Sequence, residues 1–213
     1  MPQSKTTTTR LAVIALIGGG LLLAAFAWRR EQEQGRAGRD HAVVGKTYLP
    51  KVLPPLTAKT AIRADDLKGK VFLVNFWGWW CGPCQVEFPH LMELEKSLRD
   101  NPDFLFISVA SSGDPNSDED DPDLRDKTQS FLTEHQAETA TYCDPQATEQ
   151  RRIAALAGKE FFGFPLTVII GRDGTLRGLW PGYRSGDELS MRAVIDESLS
   201  PRAHAGIPGN NAK

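Results

Sequence analysis

The chain has 213 residues and is 40% hydrophobic, which is enough for one domain of ordinary size with extensions and requires no repeat or multidomain reading. Its 25 Lys and Arg stand against 27 Asp and Glu, so no overall field argues for nucleic acid or for a strongly charged partner. Three cysteines are too few for a disulfide-stapled scaffold, and their number alone leaves the compartment open.

Residues 1–10 form a short tail carrying Lys5 and Arg10. Leu11 to Trp28 contains no charged residue, and at about 1.5 Å per residue it reaches roughly 27 Å, the thickness of a bilayer core. The span reads as an uncleaved anchor, with a cleaved signal peptide as the alternative because Ala25-Phe26-Ala27 is like a cleavage site. Gly18-Gly19-Gly20 suits a membrane span better than a soluble helix. Counting Arg29, Arg30, Arg36 and Arg39 holds the C-terminal domain on the cytoplasmic side; a short tail before a first apolar segment is the layout that exports it.

Residues 29–44 read as a polar linker, 45–200 as the folded domain and 201–213 as a flexible tail. Lys46 to Lys70, with Pro50, Pro54 and Pro55, predicts an irregular strand pair. Val71 to Phe76 predicts a buried strand and Cys81 to Leu98 a helix, bent at Pro89. Positions 84, 87, 91, 94 and 98 share one face of that helix, which puts Cys84 and Glu87 on the stripe buried by Leu91, Leu94 and Leu98. Phe104 to Val109 predicts a second strand, completing a right-handed βαβ unit. Ser111 to Asp126 reads as an acidic loop; Asp114, Asn116, Asp118 and Asp120 alternate like calcium ligands, but the glycine and the distal Glu of such a loop are missing.

Lys127 to Gln136 predicts a helix, Thr139 to Tyr142 a short strand, and Thr148 to Ala157 a helix stopped by Gly158. Leu166 to Ile170 and Leu176 to Trp180 flank Gly171-Arg172-Asp173-Gly174 as an antiparallel hairpin. Asp187 caps a closing helix that runs to Leu199.

Trp80-Cys81-Gly82-Pro83-Cys84 lies between the predicted strand and helix. Unpaired N–H groups and the dipole at a helix start lower a thiol pKa, so Cys81 is a candidate nucleophile, and Cys84, one turn on, is close enough to close a disulfide. Thiol–disulfide exchange is the chemistry implied. A carboxyl buried on the helix, Glu87, has a raised pKa and suits acid–base work for Cys84; a paired structural carboxylate is the plainer reading. Cys143 with His90 or His135 completes a zinc set on paper, yet zinc cysteines usually sit on loops with a matching pair. No metal and no cofactor is therefore assigned, Cys143 reads as a small buried apolar residue and His90 as a surface one.

Val74-Asn75-Phe76-Trp77, the Trp-Cys-Gly-Pro-Cys string, Glu87-Phe88-Pro89 and Gly163-Phe164-Pro165 together resemble thioredoxin-fold proteins, and more closely the membrane-anchored thiol–disulfide oxidoreductases of the cell envelope associated with cytochrome c maturation. The resemblance covers Gly45 to Leu199. It implies an α/β thioredoxin-like fold, a central mixed sheet flanked by helices behind the membrane segment, with the domain on the extracytoplasmic, periplasmic side. It also implies Cys81 as attacking and Cys84 as resolving cysteine, Glu87 as the acidic residue of this branch, and Pro165 as a cis-proline facing the disulfide. Asn75 stands where cytosolic thioredoxins carry a buried aspartate. Implied partners are protein disulfides, apocytochrome c among them, and a membrane thiol-electron donor. Gly78, Trp79 and Phe164 depart from the family's usual alanine, small or polar residue, and threonine or valine. With Trp80, Trp79 and Phe164 are candidate substrate contacts, packing being the alternative for Trp79. The competing functions are a thiol peroxidase and a non-catalytic metal-binding or docking module.

Overall fold

The computed structural model describes residues 38–114 and 121–200. The expected anchor at 11–28, the tails at 1–10 and 201–213, and Asn116, Asp118 and Asp120 lie outside the described residues. Among the described residues no helix is long and apolar enough to cross a membrane.

Strands β1 (Val52–Leu53) and β2 (Ile62–Arg63) form a small antiparallel pair, the irregular pair expected from the prolines. The main sheet contains β3 (Val71–Trp77), β4 (Phe104–Ala110), β5 (Thr141–Cys143), β6 (Leu166–Ile170) and β7 (Leu176–Pro181), in the order β5-β4-β3-β6-β7. Strands β3, β4 and β5 run parallel, whereas β6 is antiparallel to β3 and to β7. The sheet is thus mixed. Helices α1 (Gly82–Leu98), α2 (Pro122–Glu134), α3 (Thr148–Leu156) and α4 (Asp187–Leu199) complete the described domain.

Every residue of β3 is buried, as a central strand covered on both faces must be. Its side chains alternate: Phe72, Val74 and Phe76 join Ile153 of α3 in one core, while Val71 and Leu73 join Leu91, Leu94 and Leu98 of α1 and Met191, Val194 and Ile195 of α4 in another. Burying each such leucine contributes about 2 kcal/mol. The same alternation sends Asn75 to the α1 side, where the cysteine pair opens the helix.

The structure departs from expectation at three points. The described part of the expected linker is packed: Gly38 exchanges backbone hydrogen bonds with Leu179, at 2.7 and 3.1 Å, and Val43 is fully buried. The folded body therefore includes residues 38–44, which cover the edge strand β7; Pro54 does the same for β5, accepting from Cys143 N at 2.9 Å. Helix α2 begins at Pro122, not at Lys127, because the Asp121 carboxylate accepts from the N–H groups of Asp123 and Leu124 and Pro122 occupies a first-turn position where a missing donor does no harm. Helix α4 is capped by Gly186 rather than Asp187; Asp187 is its first residue, and its carboxylate accepts from Arg184 N at 2.9 Å instead.

Candidate active site

Cys81 is the N-cap of α1, one residue outside the helix predicted to include it, and its Sγ accepts from Cys84 N at 3.3 Å. Gly82 and Pro83 fill the first turn, where proline's fixed φ is already helical and its absent N–H is not needed. Cys81 and Cys84 form a disulfide with Cα atoms 5.2 Å apart. Cys81 keeps 5% of its surface exposed and Cys84 1%, so Cys81 is the less deeply buried residue of the pair. No acidic residue lies in the first turn of α1, which leaves the positive end of the helix free to favour a thiolate at Cys81 once the bond is reduced.

All five residues predicted for the buried face of α1, Cys84, Glu87, Leu91, Leu94 and Leu98, are buried. Glu87 retains 1% of its surface. Its Oε2 accepts from Asn75 Nδ2 at 2.8 Å and its Oε1 from Thr167 Oγ1 at 2.9 Å, while Asn75 Nδ2 also donates to Thr167 Oγ1 at 2.9 Å. The three side chains close a ring. Asn75 and Thr167 are direct partners in the antiparallel pairing of β3 and β6, so the sheet presents both donors on the face that α1 covers. Burial raises the Glu87 carboxyl to about 7; the hydrogen bonds from Thr167 and Asn75 pull it down, and the nearby Asp187 and Glu188 carboxylates push it up. Near neutral pH this group holds or releases a proton one helical turn from Cys84. Asn75 Oδ1 is buried with no hydrogen-bond partner among the described residues.

The Phe164–Pro165 peptide is cis, and the carbonyl of Pro165 accepts from Gly182 N at 2.8 Å. Phe164 packs against the cluster that contains Cys81 and Cys84. Its ring meets Trp80 edge-on, 5.4 Å between centroids, and Phe161 in the same manner at 5.5 Å. Trp80 and Phe161 are exposed, at 39% and 37%. These aromatics border a cleft of about 500 Å³ that Ser111, Pro145 and Arg151 help to line. Trp79 takes a different place: it packs against the cysteine cluster, Lys127 Nζ of α2 stands 4.6 Å above its ring, and its carbonyl accepts from Gln85 Nε2 at 2.7 Å.

Among the predicted residues, then, Cys81, Cys84 and Glu87 lie on the start of α1, and Trp80 and Phe164 meet in front of it, with Trp79 turned to α2. Sequence reasoning missed Thr167 and Phe161. Thr167 carried a usable signal, because residues Asn75 and Thr167 each alternate with apolar neighbours in a strand. Phe161, in a connecting loop, carried none. Cys143 is buried on β5 with Sγ 3.7 Å from the Pro54 carbonyl, and His90 is partly exposed, its ring stacked on Tyr183 at 5.7 Å.

Comparison with known proteins places this geometry. The thiol:disulfide interchange protein HelX of Rhodobacter capsulatus is 37% identical over 83 residues, 35% of this chain and 47% of that protein. The thiol-disulfide oxidoreductase ResA of Bacillus thuringiensis is 41% identical over 58 residues, 27% of this chain and 33% of that protein. The chain thus matches less than half the length of either relative. A crystal structure assigned to a thiol:disulfide interchange protein DsbE of Chlorobium tepidum covers 74% of this chain and 98% of its own, with a TM-score of 0.58 and 24% identity; it shares the thioredoxin-like fold. A model of the AhpC/TSA family matches residues 45–179, more than half of the chain and all of the site from Gly78 to Thr167, and the chain belongs to that family.

Proposed function

We propose that this protein is a membrane-tethered thiol–disulfide oxidoreductase that reduces protein disulfides in the cell envelope. The observation that carries the reading is the Cys81–Cys84 disulfide at the start of α1, with Glu87 buried one turn behind it and a cis peptide at Phe164–Pro165. In the reduced protein the Cys81 thiolate attacks one sulfur of a substrate disulfide, forming a mixed disulfide and releasing the other substrate sulfur as a thiolate that takes up a proton. Cys84 then loses its proton to Glu87 and attacks Cys81 Sγ, which expels the second substrate sulfur as a thiolate that takes up a proton, and closes the Cys81–Cys84 bond. Two electrons pass from the pair to the substrate. A membrane thiol donor restores the dithiol.

Residues 11–28 supply the tether, and the domain faces the extracytoplasmic side. Trp80 and Phe164 contact the substrate segment, and Pro165 orients the backbone against which that segment aligns. Apocytochrome c is the substrate that the family resemblance favours. Replacing Cys84 by Ser in native membranes tests these points together. The variant is expected to accumulate mixed disulfides on Cys81 with envelope proteins, apocytochrome c among them. No trapped protein would remove the reductase reading, and trapped cytoplasmic proteins alone would overturn the location.

A further inference from the structure

Two glycines in front of the disulfide have no part in the exchange steps. Gly78 is buried and its backbone conformation is open to any residue, so only space accounts for the missing side chain. A Cβ at Gly78 would stand 2.6 Å from Trp80 Nε1, 2.7 Å from Trp80 Cε2 and 3.0 Å from the Ser111 carbonyl oxygen. Gly113 meets the same ring from another direction, where a Cβ would stand 2.7 Å from Cε2 and 2.9 Å from Cζ2; its φ of +79° independently favours glycine. The Trp80 indole therefore fills a notch made by two absent side chains 35 positions apart in the sequence, as the numbers 78 and 113 give.

Seated in that notch, Trp80 Nε1 donates to the Ser111 carbonyl at 3.0 Å. The acceptor is itself held: Ser111 N donates to the Trp77 carbonyl at 2.9 Å and Ser111 Oγ to the Asp144 carbonyl at 2.7 Å. The ring's direction is thus fixed at both ends, and its contact with Phe164 follows from it. Trp80, the residue before Cys81, lines the cleft together with Phe164 and Phe161, and Phe164 also packs against the cluster that holds the two cysteines. A methyl group at position 78 would lift the indole off Ser111 and into that cleft.

We propose that Gly78 and Gly113 are positioning residues for substrate choice: by seating Trp80 on Ser111 they hold open a cleft that admits a bulky apolar side chain next to the substrate cysteine of an extended polypeptide. The proposal rests on the thiol–disulfide exchange reading. Its partner chemistry comes from the aromatic rim, which gains contact with an apolar side chain and gains little from a small polar one.

Gly78→Ala tests it, since alanine is acceptable to the backbone there and conflicts chiefly with the indole. The first measurement is solvent exchange of the Trp80 indole N–H in the full-length protein, the resonance being assigned by its loss in Trp80→Phe. Protection is expected in the wild type and loss of protection in Gly78→Ala. The second is reduction of two disulfide peptides that differ only in Phe or Ser beside the cysteine, with oxidised glutathione as a small reference. The wild type is expected to favour the Phe peptide through KM, and Gly78→Ala to lower that preference by roughly threefold or more. In a Trp80→Ala background, Gly78→Ala should change the preference no further. An indole that stays protected, an unaltered preference, or an equal loss on all three disulfides overturns the proposal. A wild type that reduces none of the three overturns the exchange reading, and the indole measurement then still decides whether the two glycines seat Trp80.

Discussion

Behind the Cys81–Cys84 disulfide, Glu87, Asn75 and Thr167 are sealed between α1 and the sheet and bonded to one another; in front of it, Trp80 and Phe161 lie more than one-third exposed beside an open cleft. The rear is built from regular elements, one helix and two paired strands. The front comes from loops: the turn before Cys81, the stretch after β4, and the segment before Pro165. The contrast assigns different work to each. A carboxyl held near neutrality needs burial and fixed donors, whereas a surface that receives another chain needs apolar area left bare. Rear substitutions should alter pH dependence, and front substitutions should alter affinity.

Glu87→Gln should have the greatest consequence, slowing resolution of the mixed disulfide on the order of 100-fold near neutral pH while KM for a peptide disulfide holds. Its stability signature has a definite sign. The folded-state midpoint, about 7, lies above the ordinary carboxylate range, so the contribution is fully present below the unfolded value and is lost as pH rises through about 7. Wild-type stability should fall by on the order of 3 kcal/mol between about pH 4 and about pH 8 from this group, and urea unfolding of Glu87→Gln should lack that decline. An equal decline in the variant would move the neutral-pH titration to another group.

Thr167→Val gives a smaller effect on the same side. It removes the hydroxyl that donates to Glu87 Oε1 and that lowers the carboxyl's midpoint, so the midpoint should rise above about 7 when the Glu87 carboxyl is titrated by carbon NMR. A midpoint that stays or falls would show that Asn75 alone holds the carboxylate. The mildest change belongs to the front. Phe161→Ala should raise KM for a peptide disulfide by roughly two- to tenfold, the worth of one aromatic contact, with the pH profile of kcat preserved. A shifted pH profile would end the division between the two sides.

Much of the fold was legible because its signals are local. The apolar run of β3, the 3.6-residue stripe of α1 and the Asp-Gly hairpin between β6 and β7 each occupy a few consecutive residues. The start of α2 was misplaced because the acidic run around Asp121-Pro122 reads as loop until the Asp121 carboxylate is seen capping two N–H groups. Residues 38–44 were misread as linker because their polar composition hides Val43 and the backbone bonds from Gly38 to Leu179.

The cysteine pair at a strand-to-helix junction, and Glu87 behind Cys84, could be read from the chain alone, since helix geometry relates residues three apart without reference to any other element. Their surroundings came only with the packed fold. Thr167 reaches Glu87 across 80 positions and Asn75 across 92, while Trp80 reaches Ser111 across 31. Such contacts depend on which strands pair and in what register, and a shift of one residue would have turned Asn75 or Thr167 to the opposite face.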